Sequence, residues 1–170
     1  MKMDINVRTY RNDDYPACLT LYSELSQHYA DIYEDPTIAD GDSSKWLESL
    51  WKSHGYSGTW VAEADGQVVG LAGLLINGEE GEIEPIIVSS YFRNRGIGTK
   101  LIQQFLGEAK KKKIRFLSIR PTARNERALS LYIRLGFNIL GHVELFQDLS
   151  PESSRKWKSG IEIHGHKLDY

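Results

Sequence analysis

A chain of 170 residues with 41% hydrophobic and 26% charged side chains has apolar material for one sizeable core and too little charge excess for disorder. Its 21 Lys and Arg against 23 Asp and Glu leave a formal net charge of -2, which offers no global attraction for nucleic acid or an anionic membrane. The single cysteine, Cys18, excludes an intramolecular disulfide. With a polar stretch at Met1 to Arg11 and no apolar run of bilayer length, the sequence reads as one soluble domain, 1–170, in a reducing cytoplasm.

Ile5, Val7 and Thr9 alternate with polar neighbours and predict a first strand. Asn12 or Asp13 can cap a helix running to about His28, with Cys18, Leu21, Tyr22 and Leu25 on its buried face. Tyr29 to Asp42, which contains Pro36 and Gly41, reads as a loop. Trp46, Leu47, Leu50 and Trp51 then place a second helix from about Ser43. The period next changes to two. Thr59 to Ala64 is a strand, Asp65-Gly66 a hairpin turn, Gln67 to Ile76 a strand, Asn77-Gly78 the start of another turn, and Glu82 to Val88 a fourth strand.

An amphipathic helix follows from about Gly96 to Lys112, with Ile97, Leu101, Ile102, Phe105, Leu106 and Ala109 apolar. Arg115 to Arg120 is a fifth strand, and Asn125 opens a helix that Gly136 ends. Phe137 to Leu149 and Ile161 to Leu168 are read as the last two strands. The order βαα, a three-strand meander, then αβαββ predicts an α/β fold. It has a mixed sheet of about seven strands with four helices on both faces.

The segment Arg93-Asn94-Arg95-Gly96-Ile97-Gly98-Thr99 stands between an apolar strand and an amphipathic helix. Glycine lets backbone approach a ligand closely, and the first turn of a helix presents free N–H groups and the positive end of its dipole. An anion site results, with Arg93 and Arg95 at its rim. The Walker spacing is absent, because Gly98 is followed by Thr99-Lys100. The dinucleotide fingerprint lacks its third glycine at Leu101.

Arg93-x-x-Gly96-x-Gly98 after Ile86-Ile87-Val88, with Asn125-x-x-Ala128-x-x-x-Tyr132-x-x-x-Gly136-Phe137 downstream, resembles the GNAT N-acetyltransferase family. The match runs from about Glu82 to Gly141 and is topological elsewhere. The resemblance implies the GNAT fold, acetyl-CoA as cosubstrate without a metal, and transfer of an acetyl group to a primary amine by direct attack. It places the pyrophosphate on the N–H groups of Arg93, Asn94, Arg95, Gly96, Ile97, Gly98 and Thr99. The pantetheine arm falls on the backbone of Ile87 and Val88, and Ile86 N–H serves as oxyanion donor. Asn125 and Ala128 lie on the pantetheine side, and Tyr132 points at the sulfur as general acid. The alternative is a non-catalytic acetyl-CoA-binding module.

An ammonium acceptor must lose a proton, and a carboxylate can take it. Glu82 and Glu84 share a face with Ile86 and Val88 in a regular strand. Glu84 is favoured because it lies nearer the thioester; both could instead be exposed ion-pair partners. Pro85 marks a break in the strand. Asn125 can equally be an N-cap, and Tyr132 without the motif would read as core.

Lys110 to Lys113 reads as a solvated helix end rather than a nucleic-acid patch. His164-Gly165-His166 puts two histidines on one strand face with no third ligand at metal spacing. Trp46, Trp51, Trp60 and Trp157 read as core or interface. The 29–42 stretch carries Asp31, Glu34, Asp35, Asp40 and Asp42 with Tyr29 and Tyr33. That pattern fits either a cationic amine, small or protein-borne, or a solvated acidic loop. The last strand, Gly160 to Tyr170, is a candidate for exchange in a homodimer.

Overall fold

The computed structural model describes residues 3–55, 58–149 and 156–170. Strand β1 (Ile5–Thr9) leads through a 3-10 turn into helix α1 (Tyr15–Tyr33), which has Pro16 in its first turn. Helix α2 (Ser43–His54) starts at Asp42, whose carboxylate accepts the Ser44 N–H at 3.0 Å. Strands β2 (Thr59–Ala64), β3 (Gln67–Asn77) and β4 (Glu80–Val88) form the meander. Asp65 and Gly66, at φ 51° and 80°, make the primed turn between β2 and β3. Helix α3 (Ile97–Lys111), strand β5 (Phe116–Ile119) and helix α4 (Glu126–Arg134) follow. Strands β6 (Ser159–Ile163) and β7 (His166–Asp169) come last.

The main sheet has the order β1-β2-β3-β4-β5, antiparallel except for the parallel β4–β5 pair. Helices α1 and α2 cover one face, where Cys18, Leu21, Tyr22, Leu47 and Leu50 pack on Val61, Leu71 and Ile87. Helix α3 covers the other, with Ile97, Leu101 and Phe105 against Ala62, Ala72, Leu74 and Ile83. The apolar stripes read in the sequence are therefore the two cores. Arg8 ties β1 to the start of α1 and to β2, donating to Asp14 at 2.8 Å and Glu63 at 2.5 Å.

Four expectations change. Helix α1 runs past His28 to Tyr33, so only part of 29–42 is loop. Its end is set by Glu34 in the left-handed region (φ 53°), followed by Pro36, and not by a glycine. Phe137–Leu149 forms no strand: it is irregular and carries no ladder. Ile161–Leu168 is not one strand but the β6–β7 hairpin, a separate two-stranded sheet turned at His164-Gly165 (φ 52° and 81°), so His164 belongs to the turn and not to a strand face. The main sheet accordingly has five strands rather than seven.

The fourth change comes from a register shift in β4. Ala72 lies opposite Ile86 and Leu74 opposite Ile83, so Gly73 faces the pair Glu84-Pro85. Ile83 joins the α3-side core together with Ile86 and Val88, three and five residues on, which regular alternation forbids. Glu82 and Glu84, alternating with Ile83, therefore stand on the α1 face and not on the face of Ile86 and Val88.

The C-terminal hairpin is held in place by Arg124. Its buried guanidinium donates to the carbonyls of Tyr170 (2.9 Å), Ile32 (3.2 Å) and Lys156, and lies 4.8 Å over the Tyr33 ring. Lys156 pairs with Glu34 at 3.2 Å. These bonds bind the hairpin to the end of α1.

Candidate active site

The gap between β4 and β5 is the central feature. The two strands pair only from Glu80–Phe116 to Ile83–Ile119, and from Glu84 onward β4 has no β5 partner. On its other side β4 stays paired, with Ile86, Ile87 and Val88 opposite Ala72, Leu71 and Gly70. Ser89 N–H donates to Val69 O at 2.9 Å, which makes Ser89–Val69 and Ile87–Leu71 the bonded pairs. The backbone groups of Ile86 and Val88 then face the gap, while those of Ile87 face β3. Val88 O is taken by Arg93 Nε at 3.1 Å, so the edge offers the Ile86 N–H and C=O and the Val88 N–H.

This edge runs into the glycine turn. Asn94 (φ 64°) and Gly96 (φ 82°) reverse the chain, and α3 begins at Ile97 with no side chain capping it. The first helical bond on this turn is Lys100 N–H to Gly96 O at 3.0 Å, so Ile97, Gly98 and Thr99 keep N–H groups without intrahelical partners. Arg95 rests over the Phe92 ring at 5.3 Å. From α4, Arg127 donates to Asn94 Oδ1 and bridges the mouth of the gap. Among the described residues no carboxylate pairs with Arg93, Arg95 or Arg127. Burial, and then the charges of Arg93 and Arg127, hold the His28 imidazole below its ordinary range. Four basic side chains from three elements thus gather where α3 presents its positive end, and this is the chemistry of a polyanion site.

Glu24 fixes the approach to this turn. Its carboxylate accepts Ser89 Oγ at 3.0 Å and Ser90 N–H at 2.7 Å, anchoring the β4 exit to α1.

Helix α4 closes the far side. Asn125 Oδ1 caps it by accepting Ala128 N–H at 3.1 Å, so the capping role of Asn125 is real. Gly136 (φ 99°) and the Phe137 N–H to Tyr132 O bond at 3.1 Å end it. A Cβ on Gly98 would lie 3.4 Å from Leu131 Cδ2 and 3.8 Å from Val88 Cγ2, which puts α4 beside both the turn and the open edge. Tyr132 is 7% exposed, with its ring edge-on to Phe137 at 6.4 Å. Its hydroxyl makes no hydrogen bond to a described residue, and burial, with a smaller contribution from Tyr29, pushes its pKa up.

The two carboxylates separate in role. Glu82 pairs with Arg120 of the β5 end at 2.6 Å, its second oxygen buried without a partner. Glu84 is exposed and takes part in no ion pair; after burial, its charge helps raise the pKa values of Tyr22 and Tyr29. Tyr29 in turn acts on Tyr132. Glu84, Tyr29 and Tyr132 therefore share one electrostatic neighbourhood beside the gap. Tyr29 was hidden by reading 29–42 as loop; the helical spacing of Tyr22, Tyr29 and Tyr33 was the signal that could have found it.

The acidic residues of 29–42 are mostly engaged. Asp31 accepts from Gln27 (2.8 Å), Glu34 pairs with Lys156, Asp35 caps Thr37 and Asp42 caps α2. Arg127 is a site residue that sequence reasoning missed, since only the assembled fold brings it to Asn94.

A family model described as the acetyltransferase (GNAT) family matches residues 21–137. The chain belongs to the GNAT family. An uncharacterized N-acetyltransferase of Methanocaldococcus jannaschii is 30% identical over 141 residues, covering 77% of this chain and 59% of that protein, so the chain spans about three fifths of that relative's length. Among solved structures, the PaiA N-acetyltransferase of Thermoplasma acidophilum in complex with coenzyme A has a TM-score of 0.70 at 22% identity, over 81% of this chain and 92% of that one. An N-acetyltransferase from Staphylococcus aureus Mu50 has a TM-score of 0.64 at 26% identity, over 81% and 86%. The GNAT fold of the chain, expected from its motifs, is shown. Among the described residues no helix is long and apolar enough to cross a membrane.

Proposed function

We propose that this protein, as a single domain, transfers an acetyl group from acetyl-CoA to a primary amine, small or protein-borne. The observation that carries the reading is continuous geometry: an open β4 edge leads into an uncapped helix N-terminus ringed by unpaired arginines, with a buried tyrosine across the gap.

The residues fit acetyl-CoA. The N–H groups of Ile97, Gly98 and Thr99, with Arg93, Arg95 and Arg127, would hold phosphate. The edge groups of Ile86 and Val88 would pair with the amides of the pantetheine arm as an added strand pairs. Acetyl-CoA supplies the activated thioester. Ile86 N–H is the donor for the oxygen that gains charge during attack. Glu84 takes the proton of the ammonium acceptor, directly or through water, because Glu82 is engaged by Arg120. Tyr132, kept protonated by burial, gives its proton to the departing thiolate. The single cysteine, buried and with its thiol pKa pushed up to about 12 by burial, suits a reducing cytoplasm and takes no part.

A cationic acceptor draws less support from the acidic stretch than its composition promised, since four of its five carboxylates cap or pair within the chain. The test is thiol release from acetyl-CoA across a panel of polyamines, aminoglycosides and lysine- or N-terminal peptides, with the Glu84→Gln variant alongside. Amine-dependent release abolished by Glu84→Gln is expected. Tight acetyl-CoA binding without release on any amine would support the binding-module alternative.

A further inference from the structure

Residues 137–149 hold the largest unexplained apolar surface of the described chain. Ile139, Leu140, Leu145, Phe146 and Leu149 are 70 to 90% exposed, and Val143 is 48% exposed. The pattern is that of an amphipathic strand. Phe137, Ile139, Val143, Leu145 and Leu149 fall on one face, while Asn138, His142, Glu144 and Asp148 fall on the other. Yet the segment has no ladder partner, and β5 ends the main sheet with an open outer edge and an exposed Phe116. A strand with one apolar face needs a neighbour for its backbone and a layer for its side chains; within one chain the structure supplies neither.

We propose that residues 139–149 form the interface of a homodimer, covered by a second copy of this chain. The area fits: the exposed apolar side chains amount to roughly 700–800 Å², on the order of the ~800 Å² each partner buries in a standard interface. The charge fits as well. The segment from Leu135 to Leu149 has no Lys or Arg and only Glu144 and Asp148 as acids, so it offers little to a strongly charged partner and little self-repulsion. The alternative homodimer surface, the 160–170 segment, is already bound within the chain: β6 and β7 pair with each other, and Arg124 holds the Tyr170 and Lys156 carbonyls. Phe146 meets Trp157 at 5.9 Å, which anchors the polar-side face to its own chain and leaves the apolar face outward. A two-fold axis lets the same segment of each copy meet its counterpart, antiparallel, so one patch serves both.

The test is light scattering on the full chain at about 1–100 µM with hydrogen exchange read on 139–149. A mass of twice 19.4 kDa is expected, with amide protection of 139–149 that rises with protein concentration. The double variant Ile139→Lys/Leu145→Lys should raise the dimer dissociation constant by about 100-fold or more while keeping its circular dichroism. A monomer at 100 µM overturns the proposal. If 139–149 is protected in that monomer, the chain covers the segment itself; if it exchanges freely, a different partner is left. A dimer unaffected by the folded double variant overturns it as well. Should that variant fail to fold, concentration-independent exchange in the wild type decides against it. None of these outcomes depends on acetyl transfer.

Discussion

Replacing Tyr132 by Phe isolates one oxygen. The ring is buried and edge-on to Phe137, and Phe keeps that packing and volume. The hydroxyl makes no hydrogen bond to a described residue, so its loss leaves no orphaned partner, and the melting temperature should stay within about 2 °C of wild type. What disappears is a proton donor held in its neutral form by burial. General acid assistance of this type is worth about 10²- to 10⁴-fold in rate, or roughly 2.7–5.4 kcal/mol of barrier. Because the cofactor contacts assigned to the β4 edge and the glycine turn are untouched, KM for acetyl-CoA should stay within about twofold. Steady-state thiol release with varied acetyl-CoA measures both constants. The raised Tyr132 pKa also means that wild type shows no alkaline loss from this group below about pH 10. A kcat within twofold of wild type in a well-folded Tyr132→Phe protein would refute the acid role. A fall in cofactor affinity equal to the fall in kcat would instead reassign the hydroxyl to binding.

Four other substitutions separate the remaining roles. Glu84→Gln should lower kcat by about 10²-fold or more, whereas Glu82→Gln, which removes only a pair with a largely exposed arginine, should stay within severalfold; the reverse order would exchange their assignments. Gly96→Ala meets no atom within 4 Å but must hold φ 82°, at about 1 kcal/mol of strain; a KM for acetyl-CoA raised by roughly tenfold with a folded protein is expected. Arg127→Ala should weaken acetyl-CoA binding by about tenfold, with the difference shrinking as salt rises; equal binding at low salt would remove it from the phosphate site. Asp14→Asn should cost about 2–4 kcal/mol, since it leaves the part-buried Arg8 with Glu63 as its remaining carboxylate. Arg8 holds the Asp14 carboxyl below its usual range, so this stability is present above about pH 4 and is lost as pH falls further; thermal melts should steepen there in wild type and flatten in the variant.

Local chemistry made much of the fold legible. Asp65-Gly66 and Asn77-Gly78 marked the hairpins of the meander, and the helical stripe from Ile97 to Ala109 became the α3-side core. Asn125 and Gly136 bounded α4 as caps should. The misreadings came where a local signal was silent or a partner was needed. Helix α1 outlasts its reading because a left-handed glutamate, not a glycine, ends it. Alternation through β4 gave Glu84 the wrong face, since one extra residue at Glu84-Pro85 reverses the side-chain order. The strand pattern of 137–149 is real in the sequence, but a strand exists only beside another strand. For the site, the glycine turn and Tyr132 were readable from spacing. The approach of Arg127 to Asn94, the engagement of Glu82 by Arg120 and the place of Tyr29 beside Glu84 arise from residues far apart in the chain.

The central claim is that the β4 edge and the α3 N-terminus hold acetyl-CoA. Isothermal titration of the full chain with acetyl-CoA tests it most directly. One site per chain with a dissociation constant in the micromolar range, weakened by Gly96→Ala, is the result expected; no binding heat at millimolar cofactor, with the protein folded, would contradict the account.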